Sequence, residues 1–169
     1  LSMNFYFTKM TFMEQESLDQ TDLLLLATLQ EDASLSNVAL AERVHVSPPT
    51  CLRRIKRLVE GGWIERQVAI LSRDKLGHGL QAIVEVTLDR QGAEHLDAFE
   101  ARAVADTAVQ QCWRVSPGPD FMLVVQAPDM PAYLAVTQRL LTQDANVRNV
   151  KAFFATRRAK FGTQISLPD

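Results

Sequence analysis

The chain has 169 residues, 47% of them hydrophobic and 22% charged, enough apolar content for one core or two small ones and too much for a disordered chain. Its 18 Lys and Arg are offset by 20 Asp and Glu, which excludes a basic protein overall. It does not exclude a local cationic face, and that is all phosphate neutralisation requires. No apolar run approaches the roughly 20 residues needed to cross a bilayer, and no sustained apolar stretch follows a basic start, so the expected location is the cytoplasm, with no membrane partner. Cys51 and Cys112 lack a CxxC motif or a neighbouring histidine at ligand spacing. Both read as small buried hydrophobes, and neither a metal nor a cofactor is expected.

Residues 1–17 show no helical or strand periodicity and read as a flexible N-terminal arm or as non-native leftover residues, with Met13 as an alternative start. The first helix opens at Leu18 and Asp19, where Asp19 can cap free amides and Asp22 sits in the positive first turn. Leu23, Leu26 and Leu29, with Leu25 alongside, give it an apolar face. A second helix is expected over 36–44, with Val38, Leu40, Ala41 and Val44 inward. His45 to Ser47 then break the chain, His45 standing where such turns often need positive φ. Ser47 caps a third helix, Pro48 and Pro49 fit its first turn, and Gly61 supplies its stop. Cys51, Leu52, Ile55, Leu58 and Val59 form its expected buried stripe.

The outer side of that third helix is the most informative feature. Residues 42–57 carry Arg43, Arg53, Arg54, Lys56 and Arg57 against Glu42 alone. A short apolar helix, a tight break and a basic second helix have the layout of a DNA-reading helix-turn-helix. Pro49, Thr50, Arg53 and Arg54 are the expected base-reading positions beside the cap Ser47, and Lys56 and Arg57 the expected phosphate contacts. Residues 63–71, WIERQVAIL, fit a wing or an inter-domain strand, which places a DNA-binding domain over 18–71 and a linker over 72–79.

From residue 80 the order becomes strand, helix, strand, strand, helix, strand. The strands are expected over 81–88, 109–115, 121–127 and 147–160, with helices from 93 to 105 and from Asp129 onward. Leu96, Phe99, Ala103 and Val104 line one helix, and Tyr133, Val136, Leu140 and Leu141 the other. The pattern is a ferredoxin-like βαββαβ sheet, so the fold class is α+β, a winged helix-turn-helix joined to an ACT-like domain over 80–169. FMLVVQA and VKAFFA are apolar on both alternate sets, yet two helices cover only one sheet face. A second copy on the other face is the simplest cover, and it supplies the two-fold symmetry that two DNA half-sites require.

In this order and spacing, LDQTDLLLLATLQED, SPPTCLRRIKRL, GPDF and TQISLP make the chain resemble the Lrp/AsnC (feast/famine) regulators over residues 18–168. The resemblance implies a sheet domain of the type called RAM, dimers that often assemble into octamers, and an amino acid effector, leucine-like or otherwise apolar. It carries the effector loop onto Gly118 and Asp120, with Ser116, Pro119 and Phe121 as neighbours. Backbone amides near a glycine can hold an α-carboxylate while Asp120 pairs with an α-ammonium. Pro119 removes one such amide. The alternatives are an amino-acid sensor whose helix-turn-helix serves assembly, and an architectural DNA-organising protein. GxSxG, HExxH, P-loop and GxGxxG motifs are missing, His78 and His95 read as surface residues, and no catalytic role is expected.

Overall fold

The computed structural model describes residues 17–77 and 79–168. All of the expected N-terminal arm except Ser17, and His78, lie outside the described residues. The chain separates into two compact units, the first running to Ala69 and resuming at Gly162, the second spanning Ile70–Phe161.

The first unit holds three helices, α1 (Gln20–Glu31), α2 (Asn37–Arg43) and α3 (Pro48–Glu60). Each begins on a side-chain cap. Asp19 accepts from the Asp22 amide at 2.9 Å while Asp22 accepts from the Asp19 amide at 3.1 Å, a reciprocal box that satisfies two orphan donors of α1. Ser36 and Ser47 accept from the Ala39 and Thr50 amides. His45 adopts φ 57°, the left-handed conformation expected of the turn. Leu25, Leu40, Ala41, Cys51 and Leu58 form the fully buried centre, with Leu26 and Val44 beside them.

The apolar positions Val38, Leu52 and Val59 are exposed, contrary to the inward orientation read from the sequence. Three short helices enclose only a narrow seam, so residues on the flanks of α2 and α3 lie outside it. The Trp63 and Ile64 amides donate hydrogen bonds to the Leu58 carbonyl at 2.9 and 3.2 Å, which ties them to the end of α3. Beyond them, residues 65–72 pair with no strand among the described residues, so the segment expected as a wing or inter-domain strand forms no ladder here.

The segment from Gly162 to residue 168 groups with this unit. The Gln30 side chain donates to the Ile165 carbonyl at 3.1 Å and accepts from its amide at 2.8 Å, while Leu167 packs against the helical core.

The second unit is a four-stranded antiparallel sheet in the order β2-β3-β1-β4 with two helices on one face. Its elements are β1 (Leu80–Leu88), α4 (Ala93–Ala105), β2 (Val109–Arg114), β3 (Phe121–Ala127), α5 (Met130–Thr137) and β4 (Val147–Phe154). A π-helical turn, Gln138–Thr142, continues α5. Alternate residues Ala82, Val84, Val86 and Leu88 of β1 and Phe121, Leu123, Val125 and Ala127 of β3 are buried against Phe99, Ala103, Tyr133, Val136, Leu140 and Leu141. Val104, expected inward, is exposed at the rim of α4. Strand β4 ends at Phe154, not Lys160, because its partner β1 begins at Leu80: Ala82 pairs with Phe154, and the Ala155 amide makes a last bond to the Gln81 carbonyl at 2.9 Å.

On the opposite face, Ile83 stands between Val124 of β3 and Phe153 of β4, with Gln111 of β2 next to Val124. Ile83, Phe153 and Trp113 are exposed within this unit.

Candidate DNA interface and effector loop

Helix α3 begins at the Ser47 cap, whose hydroxyl lies 2.9 Å from that of Thr50. Pro48 and Pro49 enter the first turn, where an amide would have no intrahelical acceptor. The Asn37 side chain donates to the Pro48 carbonyl at 2.9 Å, so α2 fixes where α3 starts. From that start Pro49 and Arg53 project outward and Thr50 is half-buried. Lys56 is 71% exposed and only loosely paired with Glu60, at 3.7 Å.

Arg54 and Arg57 point elsewhere. Both were expected on the outer face, as a base reader and a phosphate contact, and both turn back onto α1. Arg54 donates from Nη1 to Asp19 Oδ2 at 2.7 Å and to Asp22 Oδ1 at 2.9 Å, and Arg57 Nη2 donates to Asp22 Oδ2. The Asp22 side chain is 1% exposed. Burial pushes its carboxyl up, but bonds from Arg57, the Asp19 amide and Arg54 outweigh that and hold it below the ordinary carboxylate value. The Asp19 and Asp22 carboxylates raise the Arg54 guanidinium above its already high value. Sequence reading missed this clamp. Its signal was the matched spacing of Asp19 and Asp22 on α1 with Arg54 and Arg57 on α3, three residues apart in each case.

In the second unit, the 116–120 loop joins β2 to β3. Val115 donates to the Asp120 carbonyl at 3.1 Å, and the Asp120 amide donates to the Val86 carbonyl at 2.9 Å. Asp120 Oδ2 accepts from the Leu88 amide at 2.7 Å and from Gln91 Nε2 at 3.3 Å. That carboxylate therefore latches the loop to the end of β1. Gly118 has φ +123°, a conformation costly for any residue with a Cβ, although among the described residues no atom lies within 4 Å of where that Cβ would stand. Ser116 and Gly118 are exposed and Pro119 is half-buried. Phe121, expected beside the effector, is fully buried, its ring centroid 4.8 Å from that of Phe99. Its ring is part of the core, and the loop offers Ser116, the Gly118 backbone and the Asp120 edge instead.

The same unit has a cavity of about 690 Å³ on the open sheet face, bounded by Ile83, Val124, Gln126, Arg73 and Arg157 among others. Arg73 Nη1 donates to Gln126 Oε1 at 2.6 Å across it. The basic residues Arg157, Arg158 and Lys160 line its wall.

Two families match the chain in tandem. Residues 18–65 match winged helix-turn-helix DNA-binding, and residues 81–165 match the Lrp/AsnC ligand binding domain. A leucine-responsive regulatory protein of Rhizobium meliloti is 36% identical over 150 residues, covering 89% of this chain and 96% of that protein. An uncharacterised HTH-type transcriptional regulator of Haemophilus influenzae is 33% identical over 168 residues, covering 98% of this chain and 100% of its own length. Among solved structures, a transcriptional regulator of Neisseria meningitidis in complex with L-methionine superposes with a TM-score of 0.83 at 31% identity, covering 89% of this chain and 97% of that one. An AsnC family transcriptional regulator of Agrobacterium tumefaciens gives 0.82 at 31% identity, covering 88% and 97%.

Proposed function

Because the chain belongs to the Lrp/AsnC family of transcriptional regulators, we propose that it reads duplex DNA through the exposed flank of α3 and that an apolar amino acid at the 116–120 loop adjusts this reading. The observation that carries the proposal is the outward flank itself: Ser47, Pro49, Thr50, Arg53 and Lys56 lie along one capped helix whose other side is locked into the core. The first of these suit base edges and Lys56 a phosphate. The effector half is supported by two relatives, one described as leucine-responsive and one solved with L-methionine. In the loop, an α-carboxylate would be held at the Ser116 hydroxyl and the Gly118 backbone, and an α-ammonium at the edge of Asp120.

A second copy covers the open sheet face at Ile83, Trp113 and Phe153 in this reading, since an exposed apolar row costs least when mirrored by itself. The dimer then sets the spacing of two recognition helices, and dimers can assemble further, to octamers by the resemblance noted above. The effector acts only through unequal affinity for the arrangements it connects. The protein works in the cytoplasm.

The test begins with a duplex enriched from a random library by the wild-type protein, titrated by fluorescence anisotropy with and without each standard amino acid. Thermal unfolding runs in parallel, because a ligand at about 100 times its dissociation constant adds roughly 2.7 kcal/mol. One or a few apolar amino acids should shift both readouts, and Arg53→Ala with Lys56→Ala should weaken DNA binding while leaving the thermal response. Failure to enrich any duplex, or a double variant that binds like wild type, rejects the DNA half. Indifference to all the amino acids rejects the effector half.

A further inference from the structure

Helix α3 carries four cations, Arg53, Arg54, Lys56 and Arg57, yet the clamp from α1 divides them into two unlike pairs. Arg53 and Lys56 face outward. Arg54 and Arg57 face Asp22, whose two carboxylate oxygens are both occupied: Oδ1 by Arg54, Oδ2 by Arg57 and the Asp19 amide. The side chains of Arg54 and Arg57 remain 22% and 38% exposed, so they stand at the margin of the outer surface, not deep in the core. We propose that Asp22 is a positioning residue that sets DNA selectivity, by holding Arg54 and Arg57 on α1 and off the phosphate backbone. The inference rests on the reading of α3 as the DNA-contacting helix.

Two arguments support it. Binding by phosphate neutralisation is independent of sequence, and each additional contact tightens operator and random DNA alike. A helix offering four free cations would hold any duplex more strongly and lose discrimination, whereas two free cations leave more of the binding to base edges. The second argument concerns why phosphates do not simply capture the two arginines. Doing so would strip a carboxylate that is 1% exposed of its counter-charges, and an unpaired buried charge is far costlier than a solvated one. The reciprocal cap on Asp19 adds to the hold, because Asp22 cannot swing outward without giving up the Asp19 amide.

The experiment measures binding to the enriched duplex and to a random-sequence duplex of equal length over a salt series, for wild type, Asp22→Asn, Arg54→Gln and Arg57→Gln, with circular dichroism to check folding. The Gln variants should leave the salt slope on random DNA unchanged. Asp22→Asn should steepen it by about 0.9 for each arginine released per bound helix, and should reduce the ratio of enriched-duplex to random affinity. The proposal is overturned if either Gln variant lowers the slope by about 0.9, because that arginine is then already a phosphate contact. It is also overturned if folded Asp22→Asn lowers the melting midpoint but moves neither slope nor ratio, the signature of a brace that serves packing alone. If Asp22→Asn does not fold, the two Gln variants decide. Wild type that binds neither duplex defeats the DNA reading as a whole, an outcome visible before any variant is compared.

Discussion

Replacing Asp120 tests whether the loop is held by its carboxylate. In Asp120→Ala the Leu88 amide loses its 2.7 Å acceptor, while Leu88 itself is only 1% exposed, so water has little access to replace the bond. Leaving a buried donor unsatisfied costs roughly 1–3 kcal/mol, and the lost bond from Gln91 at 3.3 Å adds little because it is long and exposed. Asp120→Asn keeps an acceptor oxygen and loses only the charge, so it should cost less, about 1 kcal/mol. For a unit of this size each kcal/mol moves a thermal midpoint by roughly 4–8 °C. Urea unfolding without effector, followed by circular dichroism, should therefore rank wild type above Asp120→Asn and Asp120→Ala lowest. Equal midpoints for wild type and Asp120→Ala would refute the latch. The ranking also determines how effector data are read: the Ala variant confounds a lost ligand contact with a loosened loop, and the Asn variant largely separates them.

Acid should destabilise both units. Asp22 in the first unit, and Asp106 in the second, are held below the ordinary carboxylate value; for Asp106 the main cause is Arg139, which donates to its two oxygens at 2.7 and 2.8 Å. A lowered folded-state value means the unfolded chain takes up protons first, so the stabilisation is complete above the unfolded value near 4 and is lost as pH falls through the folded one. Urea midpoints should hold from neutral pH to about 5 and decline below it, with Arg139→Met flattening part of the decline; a midpoint indifferent to pH 3 would contradict the assignment. On the open sheet face, Ile83→Lys with Phe153→Lys should leave the strand spectrum intact, since both residues are exposed in the single chain, yet reduce the mass seen by light scattering to one subunit. An unchanged mass would remove that face as the self-contact.

Much of the fold is legible from local pattern. Helix α4 and strand β3 fall at the expected limits, because Ala93 to Ala105 and Phe121 to Ala127 are bounded by unambiguous breaks. The caps at Asp19 and Ser47, and the left-handed His45, follow from chemistry confined to a few neighbouring residues, whereas Ser36, expected as the first residue of its helix, is its cap. Pattern fails where the answer depends on how much of an element its neighbours cover. Val38, Leu52, Val59 and Val104 sit at helical spacing for burial and are exposed, because periodicity identifies a face but not its width. The end of β4 is set by where β1 begins, a relation absent from β4 itself. The candidate DNA surface was half visible for the same reason. Charge on α3 is plain in the sequence, but which arginines are free depends on two carboxylates more than 30 positions earlier. Asp120 and Phe121 are adjacent in the motif, yet one is a backbone latch and the other a core ring.

The return of the C-terminal segment to the helical unit bears on how the protein is made. Gln30 and Ile165 are 135 positions apart, with the entire sheet unit synthesised between them. The three helices leave the ribosome before the sheet unit, but the segment that closes over Gln30 and seats Leu167 is translated after it. Completion of the helical unit is thereby postponed until the sheet sequence has been polymerised, and a nascent chain stalled within the sheet would carry helices missing one wall.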